Sequence, residues 1–469
     1  MESPAFVILA AGLGKRMGSD LPKVMVSTSD KPLIHHVLAA ISPLNPNRTV
    51  VVTGHQRELV EGSIKAEGAK HGYNPAAVTF SLQAEQRGTG HAVQCALPAL
   101  DGFEGTVVIL CGDMPLVRSD TIGLLLESHR SRGATVSLMS FSSESPGYGR
   151  IIRNAAGEVT AIREYRDCTP AEQQIREVNA SLYAVESSFL TPALAGLRNT
   201  NAQGEFYLTD IIGYAVVQRL PVNAVLIADG DELHGVNTRT ELARVNTILN
   251  QRRVRALIEG GVTVSDPASL FIDEGVSVGA GAVLGPNVQL RGTTTVGAGT
   301  IIEGTALLTS CTIGTAARIK LGVVAEESVI GAGAAVGPFA HLRSGTVLGE
   351  EVKIGNFVET KKAVLAAGAK ASHLTYLGDC TVGEDTNIGA GTITCNYDGY
   401  RKSQTTIGRA VFIGSDTCLV APVTVEDGAV IGAGSVITKR VEADALAFSR
   451  PPQVNKAGWS KRRRELNSK

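Results

Sequence analysis

An apolar run, Phe6-Val7-Ile8-Leu9, empties into Ala10-Ala11-Gly12-Leu13-Gly14-Lys15-Arg16-Met17, with Lys23 a few residues on. A strand that ends in glycine and opens a helix presents backbone N–H groups to phosphate oxygens. Arg16 and Lys23 add positive charge beside that loop. The spacing of Gly12, Gly14 and Gly18 is one residue off the dinucleotide fingerprint, and the GxxxxGK[ST] phosphate loop is absent. A second apolar run, Thr106-Val107-Val108-Ile109-Leu110, leads through Cys111 and Gly112 to Asp113. A carboxylate at the end of a buried strand is a hard oxygen ligand suited to Mg²⁺. Cations, glycine-borne N–H groups and a metal-binding carboxylate suit transfer between phosphates, which depends on positioning and charge neutralisation.

These residues need a scaffold, and the chain supplies two. At 469 residues it is too long for one ordinary core. Before Gly260 it alternates strands, including Thr49-Val50-Val51-Val52, with helical stretches. That pattern predicts a Rossmann-like α/β domain whose mostly parallel sheet binds ligands beyond the C-terminal strand ends. Thr238-x-x-Glu241 predicts a capped helix, with Leu242, Val245 and Leu249 at helical spacing and Gly260-Gly261 as its stop. Beyond it the apolar period becomes six: Val278, Leu284, Leu290, Val296, Ile302, Leu308; then Ile330, Val336, Leu342, Leu348, Ile354; then Ile407, Ile413, Leu419, Val425, Ile431, Ile437. No α-helix keeps such a period on one face; a parallel β-helix does, with about nine triangular coils over residues 278 to 437. Asn396 to Lys402 breaks the register and is expected to leave the coil as a loop. The expected domains are thus 1–237, a linker helix 238–260, and a β-helix with tail 261–469.

Forty-four Lys and Arg against 45 Asp and Glu give a net charge of −1, so no global field draws the chain to nucleic acid or an anionic membrane. The N-terminus has no secretion-signal pattern, and Phe6 to Ala11 is too short to span a bilayer. Seven scattered cysteines without a CxxC argue for a reducing cytosol.

The string Leu9-Ala10-Ala11-Gly12-x-Gly14-x-Arg16-Met17 with Leu21-Pro22-Lys23 resembles the signature of sugar-nucleotide pyrophosphorylases. Gln83-Ala84-Glu85-Gln86-x-Gly88-Thr89-Gly90-His91-Ala92, Gly112-Asp113-Met114-Pro115, Gly147-Tyr148-Gly149-Arg150-Ile151, Asn201 to Asp210 and Gly235-Val236-Asn237 keep that family's order. The resemblance implies that Arg16 and Lys23 assist catalysis. It places the nucleotide against Leu9, Ala10, Ala11, Gly12, Lys23, Gln83, Gly88, Thr89, Cys111, Gly112 and Asp113, and the sugar against Gly149, Glu164 and Asn179. Mg²⁺ would be held by Asp113 and Asn237. Val178-Asn179-Ala180-Ser181 departs from the family's usual Asn-Thr-Gly.

The second half resembles the left-handed β-helical acyltransferases, which are usually trimeric. Gly355-Asn356-Phe357-Val358-Glu359-x-Lys361-Lys362, His373-Leu374-Thr375-Tyr376-Leu377-Gly378-Asp379 and Asn387 to Gly399 carry the likeness. Taken together, the halves resemble the bacterial bifunctional uridyltransferase–acetyltransferases that make UDP-N-acetylglucosamine, a precursor of peptidoglycan and lipopolysaccharide. The resemblance implies acetyl transfer from acetyl-CoA to glucosamine-1-phosphate, then coupling of N-acetylglucosamine-1-phosphate to UTP. His373 would be the general base, because imidazole titrates near the working pH. Arg343 and Lys361, with Tyr376 and Asn387, would hold the sugar phosphate, and Glu359 would orient the sugar or the base. Ala390, Asn396, Tyr397, Ser415, Ala433 and Arg450 would contact acetyl-CoA, with Ser415 placed for an oxyanion. Arg343 stands in Leu-Arg-Ser-Gly, where the family usually has Leu-Arg-Pro-Gly. The alternatives are a single-headed nucleotidyltransferase on a β-helix scaffold, a non-enzymatic assembly subunit, and a dinucleotide-dependent oxidoreductase. The motif strings of the second half oppose the first, the Arg16–Lys23–Asp113–Asn237 set the second, and glycine spacing the third.

Overall fold

The computed structural model describes residues 3–12, 14, 17–28 and 31–468. The chain divides into two compact units, Met1–Leu249 and Asn250–Lys469. In the first, the β-branched runs become strands flanked by turn residues. They are β1 (Ala5–Leu9), β2 (Ser27–Thr28), β3 (Lys31–Pro32), β4 (Arg48–Thr53), β5 (Val78–Leu82) and β6 (Thr106–Cys111), followed by β7 (Val136–Ser142), β8 (Arg150–Arg153), β9 (Val159–Arg163), β10 (Glu177–Glu186) and β11 (Val222–Leu226). The sheet runs β11-β7-β10-β6-β1-β4-β5. Its pairs are parallel except where β10 lies antiparallel to β6 and β7. β8 and β9 form an antiparallel ribbon attached to β10 at Val178–Arg150.

Alternate residues of each central strand enter opposite cores, as the two-residue pleat requires. Val7, Val50, Val52 and Ile109 pack on Val93 and Leu190, whereas Phe6, Ile8, Val51 and Leu110 pack on Ile34, Leu38 and Ile64. Both faces are therefore covered by helices, including α1 (Leu33–Ile41), α2 (Arg57–Glu67) and α3 (Thr89–Ala96). From β1 the chain proceeds outward through β4 to β5, then returns to the other side of β1 as β6. The crevice between β1 and β6 is thus the switch point, where loops diverge and leave room for a ligand. Leu9 and Cys111 are register partners at its rim.

β10 carries an irregularity between Asn179 and Tyr183. There Ser181 has φ +57°, a conformation that strains an L side chain. It stands where the resembled family has glycine. Ser181→Gly is expected to raise stability by about 0.5–1 kcal/mol, read as a higher urea midpoint with unchanged slope.

The expected capping box is present. Glu241 N donates to Thr238 Oγ1 at 3.2 Å, and Glu241 Oε2 accepts from Thr238 N at 2.9 Å and from Asn237 N at 2.6 Å. The long helix Arg239–Glu259 follows. Its Leu242 and Val245 are buried with Met17, Leu33, Leu116 and Val236 in the first unit. Its Val254 belongs to the core of the second. It stops at Gly260-Gly261, where Gly261 takes φ +87° and Val262 N bonds Leu257 O at 3.0 Å.

The second unit is a left-handed parallel β-helix. Equivalent positions recur every 17 or 18 residues, as in Ala335–Lys353–Lys370–Asn387. One face alone holds eleven strands, from Thr263–Val264 to Leu446–Ala447, so the coils extend past both ends of the strict period. The period-six residues line the bore; Leu284, Leu290, Ile302, Leu342, Ile413, Leu419 and Ile431 are all fully buried, and Val278 at the open end is part-buried. Corner hydroxyls turn back on the chain, as in Thr392 Oγ1 to Gly389 O at 2.7 Å and Thr417 Oγ1 to Gly414 O at 2.6 Å. A Cβ at Gly355 would lie 1.8 Å from Ser372 O, which explains a glycine where adjacent coils touch. Between Asn387 and its partner Phe412 the step lengthens to 25 residues, and the excess is the Asn396 to Lys402 loop. The basic tail forms an exposed helix, Trp459–Asn467, with Arg463 over the Trp459 ring.

Candidate active sites

A cavity of about 350 Å³ lies at the β1–β6 switch point. Leu9, Ala11, Gly12, Lys23, Gln83, Gly88, Thr89, Cys111 and Asp113 line it, together with Val24, Gln86, Ala92 and Glu205. Most of the expected nucleotide residues therefore meet in one place. Gln86 and Glu205, which line the cavity, were not among the expected residues, although both sit inside the motif strings quoted above. Gln86 Nε2 donates to Ala11 O at 2.5 Å and fixes the loop after β1. Gln83 Nε2 reaches Gly88 O at 3.0 Å. Gly88, at φ +107°, cannot carry a side chain, since a Cβ would lie 2.6 Å from Phe206 O. Ala10 and Gly112 shape the crevice by backbone bonds, to Val52 O and Leu9 O, each at 2.9 Å. Arg16 lies outside the described residues.

Lys23 Nζ forms an ion pair with Asp113 Oδ2 and donates to Asn237 Oδ1 at 2.6 Å. The side chains of Lys23 and Asp113 are 16% and 13% exposed, so the pair acts in a poorly hydrated setting. Gly14 makes room for Lys23: at φ +62° its Cβ would come 2.8 Å from Lys23 Cβ. Two oxygens, from a carboxylate and an amide, thus converge on one cationic point. That donor set fits a hard divalent ion such as Mg²⁺, with the ammonium standing where positive charge is favoured. Burial, then the Asp113 charge, pushes the Cys111 thiol up to about 12, so it lines the cavity as a neutral thiol.

Gly149, Glu164 and Asn179 meet where β8, β9 and β10 adjoin. Asn179 N donates to Gly149 O at 2.9 Å. Asn179 is buried, its amide held by Tyr183 Oη at 2.6 Å and Ser181 N at 3.1 Å. Thr209 Oγ1 donates to Glu164 at 3.2 Å. Burial foremost raises the Glu164 pKa. A raised carboxyl pKa favours the protonated fold; that contribution is complete below the unfolded value and is lost as pH rises through the folded one. Glu164→Gln is therefore expected to melt at a higher temperature than the parent at pH 7. Thermal scans at pH 7 and pH 4 should show that advantage disappearing in acid.

In the second unit, His373 Nδ1 and Asn356 Oδ1 are 2.8 Å apart, and the two residues are register partners on adjacent coils. With Nδ1–H donating to that amide oxygen, Nε2 keeps its lone pair outward. Asn356 stood in a motif string but was not singled out. Backbone bonds continue the stack: Leu374 N to Asn356 O, Gly391 N to Leu374 O, Asp416 N to Ala390 O and Gly434 N to Ser415 O. Arg450 Nη1 adds a bond to Ala433 O at 2.5 Å. His373, Ala390, Ser415, Ala433 and Arg450 therefore form one column along a corner of the prism.

A second group lies on other positions of these coils. Arg343 Nη1 pairs with Glu359 Oε1 at 2.9 Å, and Glu359 is the register partner of Tyr376. The positive charges of Lys402 and then Arg343 lower the Lys361 pKa, a like-charge cluster that a phosphate would relieve. Lys402 was not among the expected residues; the loop alone brings it here. Asn396 donates to Asp379 Oδ2 at 2.5 Å, and Tyr397 Oη to Gly399 O at 2.5 Å, which folds the loop back on itself. Asn387 sits on the face that holds Lys370 and Phe412, three residues before the His373 column at Ala390. Along the corner beside His373, Leu321, Phe339, Phe357 and Leu374 form an exposed apolar ridge, with the two phenylalanine rings stacked at 5.9 Å.

Residues 6–199 match the family model of the MobA-like NTP transferase domain, residues 267–358 that of the GMPPB C-terminal domain, and residues 404–439 the six-repeat bacterial transferase hexapeptide model. The chain is 49% identical to the bifunctional protein GlmU of Pelobacter propionicus over 98% of each chain. It is 46% identical to that of Geotalea uraniireducens (98% of this chain, 99% of the relative) and 47% to that of Corynebacterium efficiens (99% and 95%). A transferase cavity at the sheet's switch point, an oriented imidazole on a hexapeptide prism, and end-to-end identity with these relatives lead to one conclusion: the chain belongs to the GlmU family of bifunctional enzymes.

Proposed function

We propose that this chain performs the two steps to UDP-N-acetylglucosamine, each in its own unit. The second transfers acetyl from acetyl-CoA to the amine of glucosamine-1-phosphate. The first joins the resulting N-acetylglucosamine-1-phosphate to UTP and releases pyrophosphate. The observation that carries this reading is the presence, in one chain, of a Lys23–Asp113–Asn237 cluster beside a nucleotide-sized cavity and a His373–Asn356 pair on the prism.

For uridylyl transfer, a sugar-phosphate oxygen attacks the α-phosphorus of UTP, the bond to the β-phosphate bridge breaks, and pyrophosphate departs. Lys23, with Arg16, steadies the phosphates, while the Leu9–Gly12 loop, Gln83, Gly88 and Thr89 hold base and ribose. Gly149, Glu164 and Asn179 frame the sugar, Asn179 by keeping β10 in shape. Asp113 and Asn237 would hold Mg²⁺, which when bound neutralises triphosphate charge.

For acetyl transfer, His373 Nε2 takes a proton as the amine nitrogen attacks the thioester carbonyl, and Ser415 stabilises the oxyanion. The C–S bond then breaks, the thiolate of CoA accepts a proton, and the amide remains. Arg343 and Lys361, joined by Lys402, hold the phosphate, with Tyr376 and Asn387 beside the sugar. Ala390, Ala433 and Arg450 mark the track of CoA along the column, and Asn396 and Tyr397 contribute from the loop. The exposed ridge of Leu321, Phe339, Phe357 and Leu374 supports assembly as a homotrimer in which that loop completes a neighbouring copy's site. Free cysteines, and the absence among described residues of a helix long and apolar enough to cross a membrane, support a cytoplasmic setting.

The test supplies glucosamine-1-phosphate, acetyl-CoA, UTP and Mg²⁺, and omits each in turn. CoA thiol should need only the amino sugar and acetyl-CoA, whereas pyrophosphate should need all four. Pyrophosphate without acetyl-CoA, and no thiol under any condition, would reduce the prism to a scaffold.

A further inference from the structure

Helix α1 ends in a stretch rich in apolar residues, yet it carries His35, which is fully buried. Across from it, the last turn of α2 presents Glu67, and the turn that follows brings back His71, 9% exposed. Two backbone bonds, His71 N to Glu67 O at 3.2 Å and to Gly68 O at 3.0 Å, set that turn. The ring centroids of His35 and His71 are 4.5 Å apart, and His71 Nε2 lies 3.4 Å from Glu67 Oε2. One ligand atom from each of the three residues lies within 4.8 Å of the other two.

We infer that His35, Glu67 and His71 form a binding site for a divalent transition-metal ion of the zinc class, apart from the Asp113–Asn237 site. Tetrahedral ligands about 2.0–2.2 Å from zinc stand a little over 3 Å from one another, close to the spacing already present between His71 and Glu67. Two imidazoles and a carboxylate prefer zinc, cobalt or nickel to Mg²⁺, which demands oxygen ligands. The surroundings also have the form of a metal site's outer layer. Tyr73 Oη contacts His35 Nδ1 at 2.7 Å, and Ser63 Oγ lies 2.9 Å from His35 Nε2 while donating to Glu67 Oε1 at 3.3 Å. When Nε2 ligates, the proton moves to Nδ1 and is donated to Tyr73 Oη, the usual hydrogen bond that orients a ligating histidine. Ser63 then turns aside or shares the fourth position with water. The Glu67 side chain, 44% exposed, leaves an entry path. Bound metal would clamp α1 to the end of α2 and stabilise the first unit without touching Lys23 or Asp113.

The test uses the full chain, free of any affinity tag and stripped with a chelator. Zinc chloride alone is titrated by calorimetry, with thermal unfolding and X-ray absorption on the loaded protein. The parent should bind about one ion per chain and melt several degrees higher when loaded. His71→Gln and Glu67→Gln should each weaken binding by roughly tenfold or more and abolish the thermal gain. The absorption spectrum of the loaded parent, which needs no variant, should show imidazole scattering and no sulfur ligand. Unaltered binding in both variants, a sulfur-ligated ion, or no retention of zinc by the parent would each overturn the inference.

Discussion

Asp113→Ala is expected to reduce pyrophosphate release by about a thousandfold or more while CoA-thiol release in the same sample stays near the parental rate. Asp113 lies two residues beyond the end of β6 at the switch point, and its carboxylate supplies one of two oxygens that Lys23 joins. Removing it withdraws the charged group proposed to hold Mg²⁺ and leaves Lys23 the Asn237 amide oxygen as its partner among the described residues. A part-buried cation that loses its carboxylate also destabilises the fold by a few kcal/mol at most, so the melting temperature of the first unit should fall modestly. The acetyl-transfer rate separates this from general unfolding, because the prism has its own core. Loss of both activities in a folded Asp113→Ala chain would contradict the assignment of one reaction to each unit.

His373→Ala should show the converse loss. A positioned general base contributes about 10²–10⁴ to the rate, and thiol release should fall within that span with uridylyl transfer untouched. His373 is exposed and sits at a corner, so its removal creates no cavity and little loss of stability is expected. Asn356→Ala provides a graded companion. It removes the oxygen that holds Nδ1–H, so the imidazole rotates more freely and divides its tautomers. Thiol release should fall roughly tenfold, with kcat affected more than KM, and Asn356→Asp should restore part of it because a carboxylate accepts the same proton.

These variants rest on features of unequal legibility. The period of six could be read directly, because each short strand contributes one inward residue and the spacing does not depend on tertiary contacts. The capping box could be read for the same reason: Thr238 and Glu241 act within four residues of each other. The β1 and β6 loops were legible because glycine and charge follow an apolar run at a fixed offset. The partnership of Asn356 with His373 was not, since it depends on a coil of 17 residues at that point while the coil before it has 18. Lys402 reaches Lys361 only through the fold of an inserted loop, which has no period. The left-handed conformation of Ser181 was hidden by its side chain, because glycine would have announced it. Arg16 was read from its motif and stays a reading from sequence. The bond network around His35 and His71 joins residues whose spacing fits no short ligand motif, so it emerges only when α1 and α2 are packed.

The most direct test of two independent sites is a mixing experiment with the purified Asp113→Ala and His373→Ala chains, supplied with glucosamine-1-phosphate, acetyl-CoA, UTP and Mg²⁺. Neither chain alone should form UDP-N-acetylglucosamine. The mixture should form it after a lag, as N-acetylglucosamine-1-phosphate released by the first chain is captured by the second. A mixture that stays inactive, although each chain retains its remaining half-reaction, would contradict the account.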